Sequence, residues 1–372
     1  MLTALCQRRS SVTFDLGSSG IRATQLRRRG DRIALCDALQ YDVAPPNPAD
    51  EISEPDSVIA RAARVVDQGR FRGRDVAIML SPPAVQLRML RLPEQVLTQD
   101  EDRIQQALRW EVSRDTRLAP DSLEVRHWLL PPGHNQGLNV MATCMPHDQG
   151  RDWFVHCAQH HLNLKRIDVA PRAQVRLARR MWSAAPDDLW GILDLGFGQV
   201  NFTAVIGDVP TYVRCLSVSI DDWTRRLASG LDIPYAIADR LKCAYGILPG
   251  SRGVRDLSAG WQSLRAEDLP HVLFGLLRSA VDDLVRDILK CFTYVLNSFP
   301  NLNTTRVMLA GGGANLKGLS ELLEAQLGLP VAVLALRGNK DSAGWEAPLT
   351  DLVFEPESAT SVGGALLDLE DL

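Results

Sequence analysis

Three stretches of the chain combine carboxylates, hydroxyls and glycines at spacings that suit phosphate chemistry. Residues 12–26 read VTFDLGSSGIRATQL, and residues 192–205 read ILDLGFGQVNFTAV. Each closes a β-rich run on Asp-Leu-Gly, then adds a small-residue turn and a second β-rich run. Residues 307–319, VMLAGGGANLKGL, run from a buried apolar strand through three glycines toward a helix. Phosphates need backbone N–H donors at close range, and glycine or serine permits an approach that a larger side chain blocks. Gly17, Ser18 and Ser19 offer amides and two hydroxyls, while Gly196, Gly198 and Gln199 offer amides and one carboxamide. Asp15 and Asp194 stand where each strand ends. Alone, either reads as a turn cap. As a repeated pair they suit Mg²⁺, held mainly through water because Mg²⁺ keeps much of its hydration shell. Gly311, Gly312 and Gly313, with Asn315, let a planar base or ribose approach the backbone near a helix start. No Gly-Lys-Ser/Thr follows them, so this is not a Walker A loop.

The elements that position these residues come in two similar sets. Strands are expected at 12–16, 21–29 and 32–43, with turns at Gly17-Ser18-Ser19-Gly20 and Arg29-Gly30-Asp31. A helix over 56–68 and a buried strand over 76–80 follow. Asp-Leu-Gly recurs 179 residues later (Asp15, Asp194), and Gly207-Asp208 takes the turn role of Gly30-Asp31. That is the pattern of an internal duplication. Between the two sets lies a unit of different character. It has a strand over 85–92, a helix announced by a Thr98/Glu101 capping box, strands over 123–130 and 138–145 joined by a turn, and a helix over 152–162. A helix over 168–181 returns to the first set. Later come helices burying Trp223 and Leu241, a long helix over 270–299, a strand over 306–310, a helix over 316–327 stopped by Gly328, a strand over 331–336 and a short helix over 361–369.

Composition sets limits. The 372 residues suggest two or three domains, and 45% hydrophobic with 23% charged residues is an ordinary globular balance. A net charge of −4 argues against a nucleic-acid partner. Seven cysteines without CxxC pairing point to a reducing compartment. No apolar run approaches the roughly 18 residues of a membrane span, and residues 1–11 are too weakly apolar for a signal peptide. Arg27-Arg28-Arg29 reads as the solvated end of a hairpin. His156 and His160 are spaced like a metal pair, yet Cys157 stands where a zincin needs Glu, so they are read as surface histidines.

Together the three motifs resemble those of the actin-like ATPase superfamily. Within it the chain is similar to the PilM family of type IV pilus assembly, a relative of FtsA. DLGSSGIRATQL, LRLPEQV followed by IQQALRWEV, ADRLK at 238–242 and LAGGGANLKGL carry that resemblance. It implies an α/β, actin-like (RNase H-like) two-domain fold with an inserted α+β subdomain of the PilM/FtsA type. The first domain would comprise 1–83, 166–187 and 351–372, the insert 84–165, and the second domain 188–350. It also implies ATP with Mg²⁺ in the cleft, Arg22 at a position usually Lys, and Arg240 and Lys242 near the adenosine. The implied partner is the N-terminal cytoplasmic tail of an inner-membrane PilN-like protein, docked between insert and first domain, with other pilus or secretion platform proteins possible. The implied location is cytoplasmic, peripheral at the inner membrane through that partner, in a pilus, type II secretion or competence machine. Glu111, on the insert helix, is a family position and the weak catalytic candidate. Phe197, Val200 and Asn201 replace small and Thr residues, and Ser219-Ile220 replaces a glycine pair. That bulk implies slow or absent hydrolysis. A small-molecule kinase of the same superfamily and an FtsA-like division protein are the competing readings.

Overall fold

The structure, a computed structural model, describes residues 8–42, 55–116, 118–133, 139–249, 265–336, 344–346 and 355–370. The Pro-rich acidic stretch 44–55, read from the sequence as a loop, lies outside them apart from Pro55, as do most of the turn over 131–137 and most of the loop-rich stretch 246–268.

Two sheets share one plan. The first runs β1 (Val12–Gly17), β2 (Gly20–Arg29), β3 (Arg32–Asp42), then helix α1 (Pro55–Gln68) and β4 (Asp75–Leu80). The second runs β9 (Asp188–Leu195), β10 (Val200–Ile206), β11 (Val209–Leu216), then β12 (Asn303–Ala310) and β13 (Val331–Val333). With β8 (Asn163–Val169), the order β3-β2-β1-β4-β8 in the first sheet matches β11-β10-β9-β12-β13 in the second, the same arrangement twice. In both, three antiparallel strands are followed by parallel ones. Gly30 (φ 58°) and Gly207 (φ 55°) make equivalent hairpin turns in the left-handed region that glycine adopts without strain. The duplication read from Asp-Leu-Gly is therefore a duplication of whole sheets.

The sheets face each other across two helices. α5 (Ala170–Met181) and α10 (Ala359–Leu367) pack together, and one apolar cluster joins Leu26 and Ile33 to Val175, Val362, Ile192 and Met308. The second sheet's outer face is covered by α6 (Ile220–Leu231), α7 (Tyr235–Tyr245) and the long α8 (Leu269–Ser298), whose Leu273, Leu277, Leu284 and Ile288 form its buried stripe. A third sheet, ordered β5-β7-β6, consists of β5 (Gln86–Leu90), β6 (Leu123–Leu129) and β7 (Val140–Pro146). Helix α3 (Glu101–Thr116) buries Ile104, Leu108 and Val112 on it.

Several expectations move. A short helix, α2 (Glu94–Leu97), precedes α3, and Thr98 ends it instead of opening the next. The cap of α3 is Asp100, whose Oδ1 accepts the Arg103 amide at 3.0 Å. α4 (His147–Gln159) starts at His147, before residue 152, and residues expected as helix from 168 open instead with β8 (Asn163–Val169). β8 pairs in parallel with β4, so a boundary at 165 would cut through a strand of the first sheet. α4 packs on α1 and β8, burying Cys157 in the first lobe's core. The compact insert is thus the three-stranded sheet with α2 and α3. β14 (Trp345–Glu346), expected in the second domain, pairs with β3 of the first sheet. After the glycines comes a 3₁₀ turn at Gly312–Asn315, and α9 (Leu319–Leu327) begins three residues later than expected. Among the described residues no helix is long and apolar enough to cross a membrane.

Candidate functional site

The paired aspartates occupy matching places. In the β1–β2 hairpin Asp15 lies opposite Arg22, and in the β9–β10 hairpin Asp194 lies opposite Asn201. The two turns meet across the cleft, where the Gly198 amide donates to Ser18 Oγ at 3.1 Å. The third wall follows β12, whose last residue, Ala310, pairs with Asp194. Here each glycine answers a specific approach. A Cβ on Gly311 (φ 77°) would stand 2.6 Å from Asp194 Oδ1, and one on Gly313 would stand 2.6 Å from Ile220 Cδ1. Gly196 is as constrained, at 2.4 Å from the Gln199 carbonyl oxygen. The cleft measures about 800 Å³, and Ser81, Pro82, Val58 and Trp153 also line it.

Its charges are set by burial. Burial pushes the Asp15 carboxyl up to about 7, with Arg22 opposing and Asp194 adding to the rise. Asp194 is raised too, chiefly by burial, although Gln174 Nε2 donates to its Oδ2 at 2.8 Å and Arg22 attracts it. Burial works against the Arg22 charge, but Asp15 and Glu357 outweigh it and hold the guanidinium above its ordinary value. Arg22 Nη2 bonds Glu357 Oε2 at 2.8 Å, and Asn315 Nδ2 lies 3.5 Å from the other Glu357 oxygen. Glu357 therefore ties the first hairpin to the glycine loop. Two carboxylates that resist ionisation while close together suit a cation. Among the described residues no third His, Cys, Asp or Glu joins them as a metal cluster. The donor set thus fits a divalent ion that retains most of its water. Asn201 adds a buried Oδ1 without a hydrogen-bond partner, an acceptor facing a ligand space.

Asp15, Gly17, Ser18, Ser19, Arg22, Asp194, Gly196, Gly198, Gln199, Lys242, Gly311, Gly312, Gly313 and Asn315 all line the cleft. Arg240 does not; its helical neighbours Asp239 and Cys243 do, because one turn of α7 presents those positions inward. Lys242 is a buried pillar whose Nζ donates to Thr224 Oγ1 at 2.6 Å and pairs with Asp239 at 2.8 Å. Glu111 lies on α3 of the insert, paired with Arg114 at 3.3 Å, and is not among the cleft residues. His156 sits on α4 with Nδ1 3.1 Å from Gln159 Oε1. In the second turn the bulk is accommodated by backbone bonding. The Asp221 amide donates to the Phe197 carbonyl at 2.9 Å, and Ser219 Oγ caps α6 by accepting the Asp222 amide at 3.0 Å. Glu357 and Gln174 were not legible, since neither belongs to a spaced motif.

A second cavity, about 830 Å³, lies between the insert sheet, α4 and β8. Phe154, 48% exposed, lines it with Met145, Ile167 and Val169. The same insert sheet touches the second lobe. Trp128 Nε1 donates to the Pro210 carbonyl at 2.8 Å, Arg172 of α5 sits 5.3 Å from the Trp128 ring centroid, and Trp128 packs against the cores of both lobes.

Fold and cleft together define a protein of the actin-like ATPase fold, as the opening motifs led us to expect. Within that class it is similar to PilM. A solved PilM-PilN type IV pilus biogenesis complex matches over 98% of this chain and 100% of that one, at 22% identity and a TM-score of 0.74. The family model of the cell division protein FtsA matches residues 192–363. The ethanolamine utilization protein EutJ from Carboxydothermus hydrogenoformans aligns over 96% of this chain and 89% of that one, with 14% identity and a TM-score of 0.50. MreB 5 of Spiroplasma citri bound to AMPPNP aligns over 97% and 96%, with 10% identity and a TM-score of 0.50. No curated protein sequence matches the chain.

Proposed function

We propose that the protein is a nucleotide-held scaffold of the PilM type, which binds ATP with Mg²⁺ in the cleft and docks the N-terminal tail of a PilN-like membrane protein. It would act on the cytoplasmic face of the inner membrane, in a pilus, secretion or competence machine. On this reading the inserted subdomain divides the first domain after residue 83, and the tail lies between the two in the 830 Å³ groove. Likeness to the PilM-PilN complex along the whole chain supports the partner. The amides of Ile220 and Asp221 at the start of α6 already donate to the Gly196 and Phe197 carbonyls and are not free for a transferring phosphate, which favours holding nucleotide over hydrolysing it. Binding of a fluorescent ATP analogue with Mg²⁺, followed by phosphate release on the same sample, tests this. Binding with little release is expected, and rapid release supports an enzyme instead.

One observation carries the coupling of the two sites. Glu124, Arg126 and Trp128 alternate along β6, so they share one face of the insert sheet. Glu124 and Arg126 line the groove, while Trp128 bonds the second lobe. Closure of the lobes around nucleotide would therefore bias the groove through a single sheet. Asp194→Ala is expected to weaken nucleotide binding by about tenfold or more, by removing one cation-facing carboxylate, and to lower tail affinity with it. Trp128→Ala is expected to leave each ligand able to bind while tail affinity stops responding to ATP. Calorimetric titration of the tail peptide with and without nucleotide reads both effects, and tail affinity that never depends on ATP overturns the gating.

A further inference from the structure

We infer that the groove recognises its occupant by adding it as a further strand to the free edge of β8. The inference rests on the reading that a partner segment lies in this groove, and it assigns the mode of recognition.

The argument starts from period. Successive side chains of a strand point to opposite faces, so a cavity facing one side of a sheet is lined by alternate residues. The groove is lined instead by consecutive ones, Lys165, Arg166, Ile167, Asp168 and Val169. Thr143, Cys144 and Met145 of the central strand β7 line it consecutively too, so it is the place of β8 at the end of its sheet that puts an edge, with a row of backbone N–H and C=O groups, along this wall. β8 is the last strand of the six-stranded sheet, and among the described residues β4 is its one strand partner. The opposite wall is built differently. Glu124 and Arg126 of β6 lie opposite Met145 and Thr143 of β7, so these four share one sheet face. An extended segment fits between an edge that can hydrogen-bond it and a face that can read its alternate side chains. Five residues of β8 span about 17 Å, enough to pair a similar length of peptide. Phe154 supplies an apolar anchor on α4.

The blander account is that β8 is merely a guarded edge. Its register slips between Leu164 and Arg166, which leaves Lys165 as the extra residue of a bulge, and charge with a bulge is how exposed edges avoid stray pairing. That protection sits at one end of the wall. Past it, Arg166, Ile167, Asp168 and Val169 pair with β4 without interruption. Charge further narrows the occupant. Arg126, Arg151, Lys165 and Arg166 face Glu124, Asp148 and Asp168 around the groove. The bases are already ion-paired, Arg126 with Glu124, Arg151 with Asp148, Lys165 with Asp75 and Arg166 with Asp368, so the groove suits an uncharged extended segment and not a polybasic one.

The test uses the full-length protein and a synthetic peptide of the N-terminal cytoplasmic segment of the PilN-type protein from the same organism. Single backbone N-methylation is walked along the peptide, which removes one N–H donor at a time and keeps every side chain. Strand addition predicts an alternating pattern, in which every second methyl weakens binding roughly fivefold to tenfold and those between do little. Amide exchange resolved by residue should show protection gained at alternate positions of Arg166, Ile167, Asp168 and Val169. If Phe154→Asp abolishes binding while N-methylation has no alternating effect, the groove is right and strand addition is wrong. If the unmodified peptide does not bind at all, the docking reading falls and this inference falls with it.

Discussion

Gly363→Ala should destabilise the protein by more than about 3 kcal/mol, although alanine in an isolated helix would be worth about 1 kcal/mol in the other direction. The sign is decided by what the new methyl meets. A Cβ at residue 363 would lie 1.9 Å from the Ala173 carbonyl oxygen and 2.5 Å from its carbon. Both are backbone atoms of α5, so no side chain can rotate away, and the two helices must part. They cannot part cheaply, because together they fill the space between the two sheets. Their separation also strains the Arg176 Nη1 bond to the Gly363 carbonyl at 2.8 Å, made by a buried arginine whose other partners are the carboxylates of Asp168 and Glu370 at 3.6 and 3.5 Å. Gly364 is the internal control. There a Cβ meets Met79 Sδ at 2.6 Å and Thr13 Cγ2 at 2.7 Å, both ends of side chains that can shift. Urea unfolding of the two alanine variants should therefore rank Gly363→Ala far below Gly364→Ala. Equal effects would mean that the helix contact is softer than its geometry implies.

The comparison of these glycines with those of the cleft shows what a sequence can and cannot disclose. Gly17 and Gly196 were legible because each follows a β-rich run in a repeated Asp-Leu-Gly frame, and Gly311 because it opens a glycine run at the end of an apolar strand, so pattern and chemistry pointed to the same turns. Gly363 and Gly364 interrupt nothing. They sit inside a helix whose partner lies far away in the chain, and only the crossing gives them meaning. β8 was hidden for a related reason. Its residues NLKRIDV mix charge and apolar groups without a clean alternation, as an edge strand with a bulge does, and they run directly into a strongly helical stretch. The aspartates had the right positions, but the duplication concealed an asymmetry. Asp15 faces Arg22 and Asp194 faces Asn201 at equivalent positions, so one half of the cleft is charge-paired and the other is not. Glu357 completes that asymmetry from the 3₁₀ turn just before α10, through a pairing to Arg22 across more than three hundred residues that no local pattern announces. Arg240 was misplaced by a single helical step, which is enough on a helix to turn a residue from cleft to solvent.

Asp15→Asn should make the protein more stable at pH 8 and deprive it of stabilisation by Mg²⁺ and ATP. The sign follows from a carboxyl held near 7 in the fold against 3.8 when unfolded. Below pH 4 both states carry the proton and the site costs nothing. As pH rises from 4 toward 7 the unfolded chain ionises while the folded one retains its proton, so stability drains away. Above 7 both are ionised and the loss levels off, on the order of 4 kcal/mol. Asparagine resembles the protonated acid and escapes that loss. The variant and its parent should then unfold at similar temperatures at pH 4, with the variant gaining progressively up to about pH 7. A divalent cation reverses the comparison, because it favours the ionised carboxylate that burial disfavours. Added Mg²⁺ and ATP should raise the melting temperature of the parent at pH 8 and leave that of the variant nearly unmoved. If the variant is instead less stable by the same amount at every pH, Asp15 is serving as a neutral turn cap. The cleft would then lose one of the two carboxylates on which its fit to a cation depends.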